Sequence, residues 1–97
     1  MQSFAGFTRI TQSQIINEGK TEFHGYDLEP SSANPRVSFY EGLDENSGRL
    51  IHTTTDYDVY ATGSKSSEPI FCDRGLYVKI TSGITAVTVY WHPVIRE

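Results

Sequence analysis

Three histidines and a short acidic pair are the residues of this 97-residue chain that could hold a metal ion. His24, His52 and His92 lie far apart, and none has a second histidine or a cysteine at the spacing of a zinc-ligand pair. Asp56 and Asp58 supply two carboxylates, whereas a calcium loop needs several oxygen ligands and a glycine at its sharp turn. We therefore expect no metal and no other cofactor, with the histidines on strand faces and the aspartates on a solvated acidic rim.

A single cysteine, Cys72, is the candidate nucleophile. A reactive thiol needs a neighbouring base and a group that orients the base, and the sequence places neither beside it. We expect Cys72 to be a small buried apolar side chain, in a protein made in a reducing cytoplasm. The sequence also lacks a glycine-rich phosphate loop, and its length leaves little room for both a core and an enclosed cleft. It therefore predicts a protein that is not an enzyme.

Charge and hydropathy argue against nucleic-acid binding and against insertion into a membrane. The chain carries 12 acidic and 8 basic residues, a net charge of −4, whereas a nucleic-acid-binding protein presents a basic surface to phosphates. Its apolar stretches are only a few residues long, too short to cross a bilayer, and its first twenty residues lack the pattern of a secretory signal. We expect neither nucleic acid nor a membrane as a partner.

The pattern of residues around these candidates is that of strands. Residues that favour strands, such as Val, Ile, Thr and Tyr, outnumber those that favour helices, and no stretch has the apolar spacing of an amphipathic helix. Turn-forming residues separate the apolar stretches. Alternation of apolar and polar residues is clearest at 36–41, 57–61, 76–81 and 86–91, and shorter stretches that favour strands lie at 7–11, 13–16, 23–28, 50–53 and 69–72.

These stretches predict an all-β fold. Their number and spacing are typical of a single small antiparallel β-sandwich, jelly-roll or Ig-like, of about seven to eight short strands, and a small barrel is the alternative. The chain is too short for two separate cores, so we expect one domain. Within it, residues 1–22 would form an N-terminal arm with the first strand or strands, and residues 23–97 the body of the sandwich.

The last two alternating stretches predict a hairpin. Ser82-Gly83 separates them, and a pair containing glycine between two alternating runs is typical of a two-residue hairpin loop. Such a loop would pair Val78 with Val87 on the apolar face. We expect one patch facing the core, formed by Leu76, Val78, Val87, Val89 and Trp91.

Aromatic residues and the chain ends are the candidates for partner binding. Most of the tyrosines fall on the strand phase opposite the core residues, or at strand ends, where they suit a protein contact or a sugar platform. Ordinary cross-strand packing is the alternative explanation. The N-terminal segment has two phenylalanines and no charged side chain before residue 8, and the chain continues beyond Pro93 with two aliphatic residues. The predicted partner-binding residues are Phe4, Phe7, Tyr40, Tyr60, Val94 and Ile95.

Several motifs resemble those of small virion proteins of tailed bacteriophages. The run Arg36–Gly42, followed by a polar loop and Gly48–Ile51, resembles their signature of a strand, a tyrosine, an acidic residue and a glycine. Cys72–Ile80 and Val87–Trp91 are similar to their C-terminal strands. The resemblance covers about residues 23–91 and implies a β-sandwich without an active site. Such proteins serve as capsid decoration (cement) proteins, head fibres, or neck and tail accessories.

These observations predict a non-enzymatic virion protein made in the host cytoplasm. The first expectation is a capsid decoration or cement protein, which would bind other copies of itself and the major capsid protein or other virion proteins. A carbohydrate- or receptor-binding module, as in a tail or head-fibre accessory, is the alternative. A small hydrolase is a third possibility, because paired carboxylates cannot be located from sequence alone.

Overall fold

A computed structural model describes residues 6–31, 36–53 and 70–94 of the chain. Eight strands and no helix occur among these residues, so the part described holds no helix that could cross a membrane. The strands are β1 Phe7–Ile10, β2 Gln14–Asn17, β3 Thr21–Pro30, β4 Arg36–Glu41, β5 Arg49–Thr53, β6 Ile70–Cys72, β7 Leu76–Ser82 and β8 Ile84–Pro93.

The strands form two antiparallel four-stranded sheets. The front sheet has the order β1-β8-β3-β6 and the back sheet the order β2-β7-β4-β5. Consecutive strands lie in different sheets, except for β4 and β5, and the pairs β1·β8, β2·β7, β3·β6 and β4·β5 are all formed. An antiparallel ribbon of four strand pairs wound into two sheets is a jelly roll. The predicted β-sandwich is confirmed, and the strand order is that of its jelly-roll form rather than the Ig-like one.

The predicted hairpin at Ser82-Gly83 is wrong. Strand β7 lies in the back sheet and β8 in the front sheet, so the two strands face each other across the core instead of pairing. The chain changes sheet at Gly83, whose φ of +70° is readily adopted only by glycine, and the Gly83 carbonyl accepts a hydrogen bond from the Ser31 amide at 2.8 Å. The sequence could not distinguish these arrangements, because each strand buries the same alternate residues in both.

The predicted core patch is present despite the different pairing. Leu76, Val78, Val87 and Val89 are fully buried, and they meet across the space between the sheets. Trp91 is only partly buried, and its indole N–H donates to the Thr8 hydroxyl at 2.9 Å. The other fully or nearly fully buried apolar residues of the core cluster are Ile10, Phe23, Leu28, Val37, Phe39 and Cys72.

Phe39 of the back sheet packs between two aromatic rings of the front sheet. Its ring centroid lies 5.0 Å from that of Phe23 and 4.9 Å from that of Tyr26. The tyrosines were expected on the outward strand phase or at strand ends, whereas Tyr26 packs against the core. An irregularity between Phe23 and Gly25 inserts an extra residue into β3, so the strand changes phase and Tyr26 points inward.

The remaining strand predictions differ mainly at their ends. The predicted strands 7–11 and 13–16 are the edge strands β1 of the front sheet and β2 of the back sheet, with bounds shifted by one residue. Ser13, in the turn between them, accepts a hydrogen bond from the Ile80 amide at 2.8 Å. Strand β3 begins earlier and ends later than the predicted stretch 23–28. The predicted strand at 57–61 lies outside the described residues.

We predict that Val87→Asp prevents folding. The carboxylate would stand unpaired in the core, where an uncompensated charge costs several kcal/mol, a large part of the stability of a small domain. Thr85→Asp, at an exposed position near the start of the same strand, is the matched control and should change the free energy of unfolding by less than about 0.5 kcal/mol. Circular dichroism melting checks both variants, and a Val87→Asp protein that melts cooperatively would contradict the assigned strand phase.

Candidate functional site

A row of apolar and aromatic side chains crosses the outer face of the back sheet. Ile15 of β2 is paired with Tyr77 of β7, Tyr77 with Tyr40 of β4, and Tyr40 with Leu50 of β5. They point outward because their neighbours along β7 and β4, Val78 and Phe39 among them, fill the core. Leu50 is 53% exposed and Ile15 36%, and the tyrosine rings lie 6.2 Å apart. We call these four residues the tyrosine row.

An ion pair lies beside the two tyrosines of the row. The Lys79 ammonium contacts the Glu45 carboxylate at 2.8 Å. The hydrogen bond and the charge of Glu45 raise the pKa of Lys79, and the electrostatic effects of Tyr40 and Tyr77 add to the rise. Lys79 follows Tyr77 by two residues along β7, so its side chain points to the same face as the tyrosine row. The outer back face combines an apolar row with charged and hydrogen-bonding groups.

The outer face of the front sheet has a different character. Phe7 of β1 is paired with Tyr90 of β8, and the Tyr90 hydroxyl donates a hydrogen bond to the Asp27 carboxylate. This hydrogen bond, together with burial and the charge of Asp27, raises the pKa of Tyr90. Arg9 of β1 donates two hydrogen bonds of 2.8 Å to Glu29 of β3, across the intervening β8. The pairs tie the three neighbouring strands together on their solvent side.

The same face also brings two histidines together. Because of the irregularity in β3, His24 lies beside Glu22, with 3.1 Å between the imidazole Nε2 and a carboxylate oxygen, and its ring meets that of His92 edge-on at 5.2 Å. Phe71 of β6, 60% exposed, is paired with Glu22. Both histidines lie on a strand face, as expected, but no spacing in the sequence indicated that these two would meet.

This histidine pair does not form a metal centre with its neighbours. Among residues 6–31, 36–53 and 70–94, no group of three or more His, Cys, Asp or Glu side chains is arranged to hold a metal ion. The third histidine, His52, forms a hydrogen bond of 3.0 Å with the Tyr26 hydroxyl through its Nε2. The predicted acidic pair, Asp56 and Asp58, lies outside the described residues.

Cys72 is buried, as predicted. It is 1% exposed, and burial together with the charge of Glu41 raises the pKa of its thiol to about 11. At neutral pH the sulfur is therefore protonated, which is the unreactive form.

The structure describes three of the predicted partner-binding residues, and these lie in different places. Tyr40 belongs to the tyrosine row, Phe7 is 54% exposed on the front sheet, and Val94 lies at the end of β8. The Val94 amide donates to the Lys20 carbonyl at 2.9 Å, and its side chain helps line an open cavity of about 230 Å³ beside Phe71. Phe4, Tyr60 and Ile95 lie outside the described residues.

Three exposed side chains of these faces were not predicted, namely Ile15, Leu50 and Phe71. Phe71 could have been assigned, because it precedes a cysteine expected to be buried and so takes the outward phase. The outward direction of Leu50 could not have been assigned. The pairing of β5 with β4 is irregular between Phe39 and Tyr40, and this irregularity changes the phase of β5.

Three of the segments that carry the phage resemblance, 36–42, 48–51 and 72–80, come together where β4 ends and β7 begins. One oxygen of the buried Glu41 carboxylate accepts from the Arg49 guanidinium and the other from the Asp73 amide, both at 2.7 Å. The Gly42 amide donates to the Gly75 carbonyl at 3.0 Å. A Cβ on Gly42 would lie 2.7 Å from the Cα of Gly48, too close for any side chain. We call this arrangement the Glu41 joint; it holds the β4–β5 loop against the turn that leads into β7.

Comparisons with known proteins found no match. No protein-family model matches the sequence, and neither a curated protein nor a solved structure matches it. The resemblance to phage virion proteins therefore depends on the motifs of this chain alone.

We predict that Glu41→Gln destabilises the fold. The variant loses the charge that accepts from Arg49 and the Asp73 amide, and a hydrogen bond to a charged group contributes about 1.5–3 kcal/mol. Glu45→Gln, which removes the exposed partner of Lys79, is the matched control and should have little effect. Urea denaturation gives the free energies of unfolding of the natural protein and of both variants. A Glu41→Gln variant as stable as the natural protein would mean that the Glu41 joint does not stabilise the fold.

The raised pKa of Cys72 predicts slow reaction with thiol reagents. A pKa of about 11 in place of the ordinary 9.0 lowers the thiolate fraction at pH 8 about a hundredfold, and burial slows the reaction further. Iodoacetamide should label the folded protein at least a hundredfold more slowly than the protein in urea. The rate should rise with pH towards 11. Equal rates for folded and unfolded protein would show that the thiol is accessible.

Proposed function

We propose that this chain is a non-enzymatic structural protein of a tailed-phage virion, of the capsid decoration or cement type. The tyrosine row is the observation that carries the proposal, because four aligned side chains across a whole sheet make a continuous surface for contact with another protein. The motifs at 36–51 and 72–91 add the resemblance to virion proteins. Its partners would be other copies of the chain and the major capsid protein or other virion proteins.

The mechanism is adhesion. Tyrosines contribute strongly to protein interfaces, since they bury a large area and lose little conformational entropy. Covering a large apolar side chain that is otherwise exposed contributes about 1.5–3 kcal/mol, and Leu50 and Ile15 still have much of their surface to bury. A chain that covers this row against two neighbouring capsid subunits opposes their separation.

The second candidate function is carbohydrate or receptor binding, and the surroundings of the tyrosines favour it. Tyr40 and Tyr77 offer ring faces and hydroxyls, and Lys79 and Glu45 lie beside them. A sugar is bound by such a combination of a flat apolar surface and polar groups that bond to its hydroxyls.

The proposal can be tested by analysing purified particles of the phage that encodes the chain. Mass spectrometry of purified virions should find the chain in many copies. Leu50→Asp, which places a charge in the tyrosine row, should reduce its copy number at least tenfold, whereas Thr85→Asp on the other sheet should not. Both variants should melt like the natural protein.

Absence of the natural chain from purified virions would show that the proposal is wrong. A glycan array separates the two functions. Binding of a defined glycan that is lost in Tyr40→Ala, together with absence from particles, would support the carbohydrate-binding alternative.

A further inference from the structure

The loop between β4 and β5 is held by hydrogen bonds along its length. The Asp44 carboxylate accepts from the amide and the hydroxyl of Ser47 at 2.7 and 2.9 Å, and the Asp44 carbonyl accepts from the Gly48 amide at 2.9 Å. The Glu41 joint fixes the same loop against the turn before β7. The backbone of Glu45, which lies between these bonded residues, therefore has a fixed position beyond the end of β4.

The Glu45 side chain reaches back from this loop over the outer back face. Its partner Lys79 lies two residues beyond Tyr77 on β7, on the same face of the sheet and on the side away from the loop. This places Lys79 about 7 Å beyond the pair that Tyr77 forms with Tyr40. Since the ammonium and the carboxylate are 2.8 Å apart, the two side chains together cross the tyrosine pair.

The exposure of these side chains agrees with such a crossing. Tyr40 and Tyr77 point outward but are only partly exposed, whereas Leu50 in the same row is 53% exposed. The side chains of Lys79 and Glu45 are 37% and 38% exposed, so they are partly covered as well. A lysine stem packs on apolar surface in this way while its ammonium stays in water. The middle of the tyrosine row is therefore shielded by the ion pair, and its ends are open.

We propose that the Glu45–Lys79 ion pair is a strap across Tyr40 and Tyr77 in the free chain, and that it opens when a partner covers the tyrosine row. An exposed ion pair contributes little free energy and is screened by salt, so the strap opens by rotation of two side chains while the fold stays intact. Opening frees both rings for contact, and it frees an ammonium and a carboxylate to bond to the partner. The inference rests on the proposed function for the partner, because it names how access to the row is regulated, but the strap belongs to the free chain.

Hydroxyl-radical footprinting of the free chain tests the strap. Mass spectrometry gives the oxidation rate of each tyrosine, and Tyr90 on the front sheet is the reference within each sample. In Glu45→Gln, Tyr40 and Tyr77 should be oxidised about two- to threefold faster than in the natural chain, since an exposed pair favours the closed form only by a small margin. Leu50, at the open end of the row, should be oxidised at an unchanged rate.

Glu29→Gln is the matched control, because it breaks an exposed ion pair of the same length on the other sheet. It should leave the oxidation rates of both tyrosines of the row unchanged. Exchange of the two charges, in Glu45→Lys with Lys79→Glu, restores the pair and should restore the natural rates, whereas Glu45→Lys alone should give the faster rates. About 1 M salt should also raise the rates in the natural chain, which tests the strap without any substitution.

Two outcomes of the footprinting would overturn the strap. The first is that the natural chain shows the same tyrosine rates at low and at high salt, whatever the variants show. The second is that the charge-exchanged variant is oxidised as fast as Glu45→Gln while both melt cooperatively.

Binding to particles tests what the strap does. Glu45→Gln should bind to purified virions that lack the chain about two- to threefold more tightly than the natural chain, because the strap no longer has to open. Weaker binding would show that the ion pair is part of the contact, and would overturn its role as a cover. Absence of the natural chain from virions would defeat the proposed function alone, since footprinting decides separately whether the strap exists.

Discussion

One layer of interleaved side chains joins the two sheets, and the rest of the molecule is arranged around it. Phe39 lies at its centre, fully buried, and its ring packs on Phe23 and Tyr26 of the opposite sheet. Successive side chains of a strand point to opposite faces of its sheet, so each strand contributes only every second residue to this layer. The residues between them point away from the core, towards solvent. The constraint that forms the core therefore also determines what the two outer faces present to a partner.

Much of this fold could be predicted because burial alternates locally along a strand. Arg36–Glu41 was assigned to its exact bounds, and the buried phase of Leu76, Val78, Val87 and Val89 was assigned correctly. What could not be predicted is which strands become neighbours. An alternating strand followed by glycine and a second alternating strand satisfies the core both as a hairpin and as a crossing between sheets. The choice depends on the six other strands, and a local pattern does not contain them.

The outer faces were harder to predict, for two physical reasons. An extra residue in a strand reverses its phase, which turned Tyr26 inward and placed His24 beside Glu22. The pairs on the front face also join distant residues, such as Tyr90 and Asp27, which are 63 positions apart. The outward direction of Tyr40 could be predicted, because burial alternates regularly along β4. That of Leu50 could not, because the pairing of β5 with β4 is irregular.

The residues that resemble those of phage virion proteins and the residues of the tyrosine row carry different kinds of information. Glu41, Gly42 and Gly75 are needed wherever a loop must be held this closely to a turn, so a shared motif of this kind says more about the fold than about the partner. Leu50 and Phe71 are not needed in this way, since more than half of each side chain is in contact with water. A single exposed apolar residue is ordinary, and the proposed interface depends on the pairing of four such residues across one sheet. The function of this chain is therefore to be sought in the residues that its own core does not require.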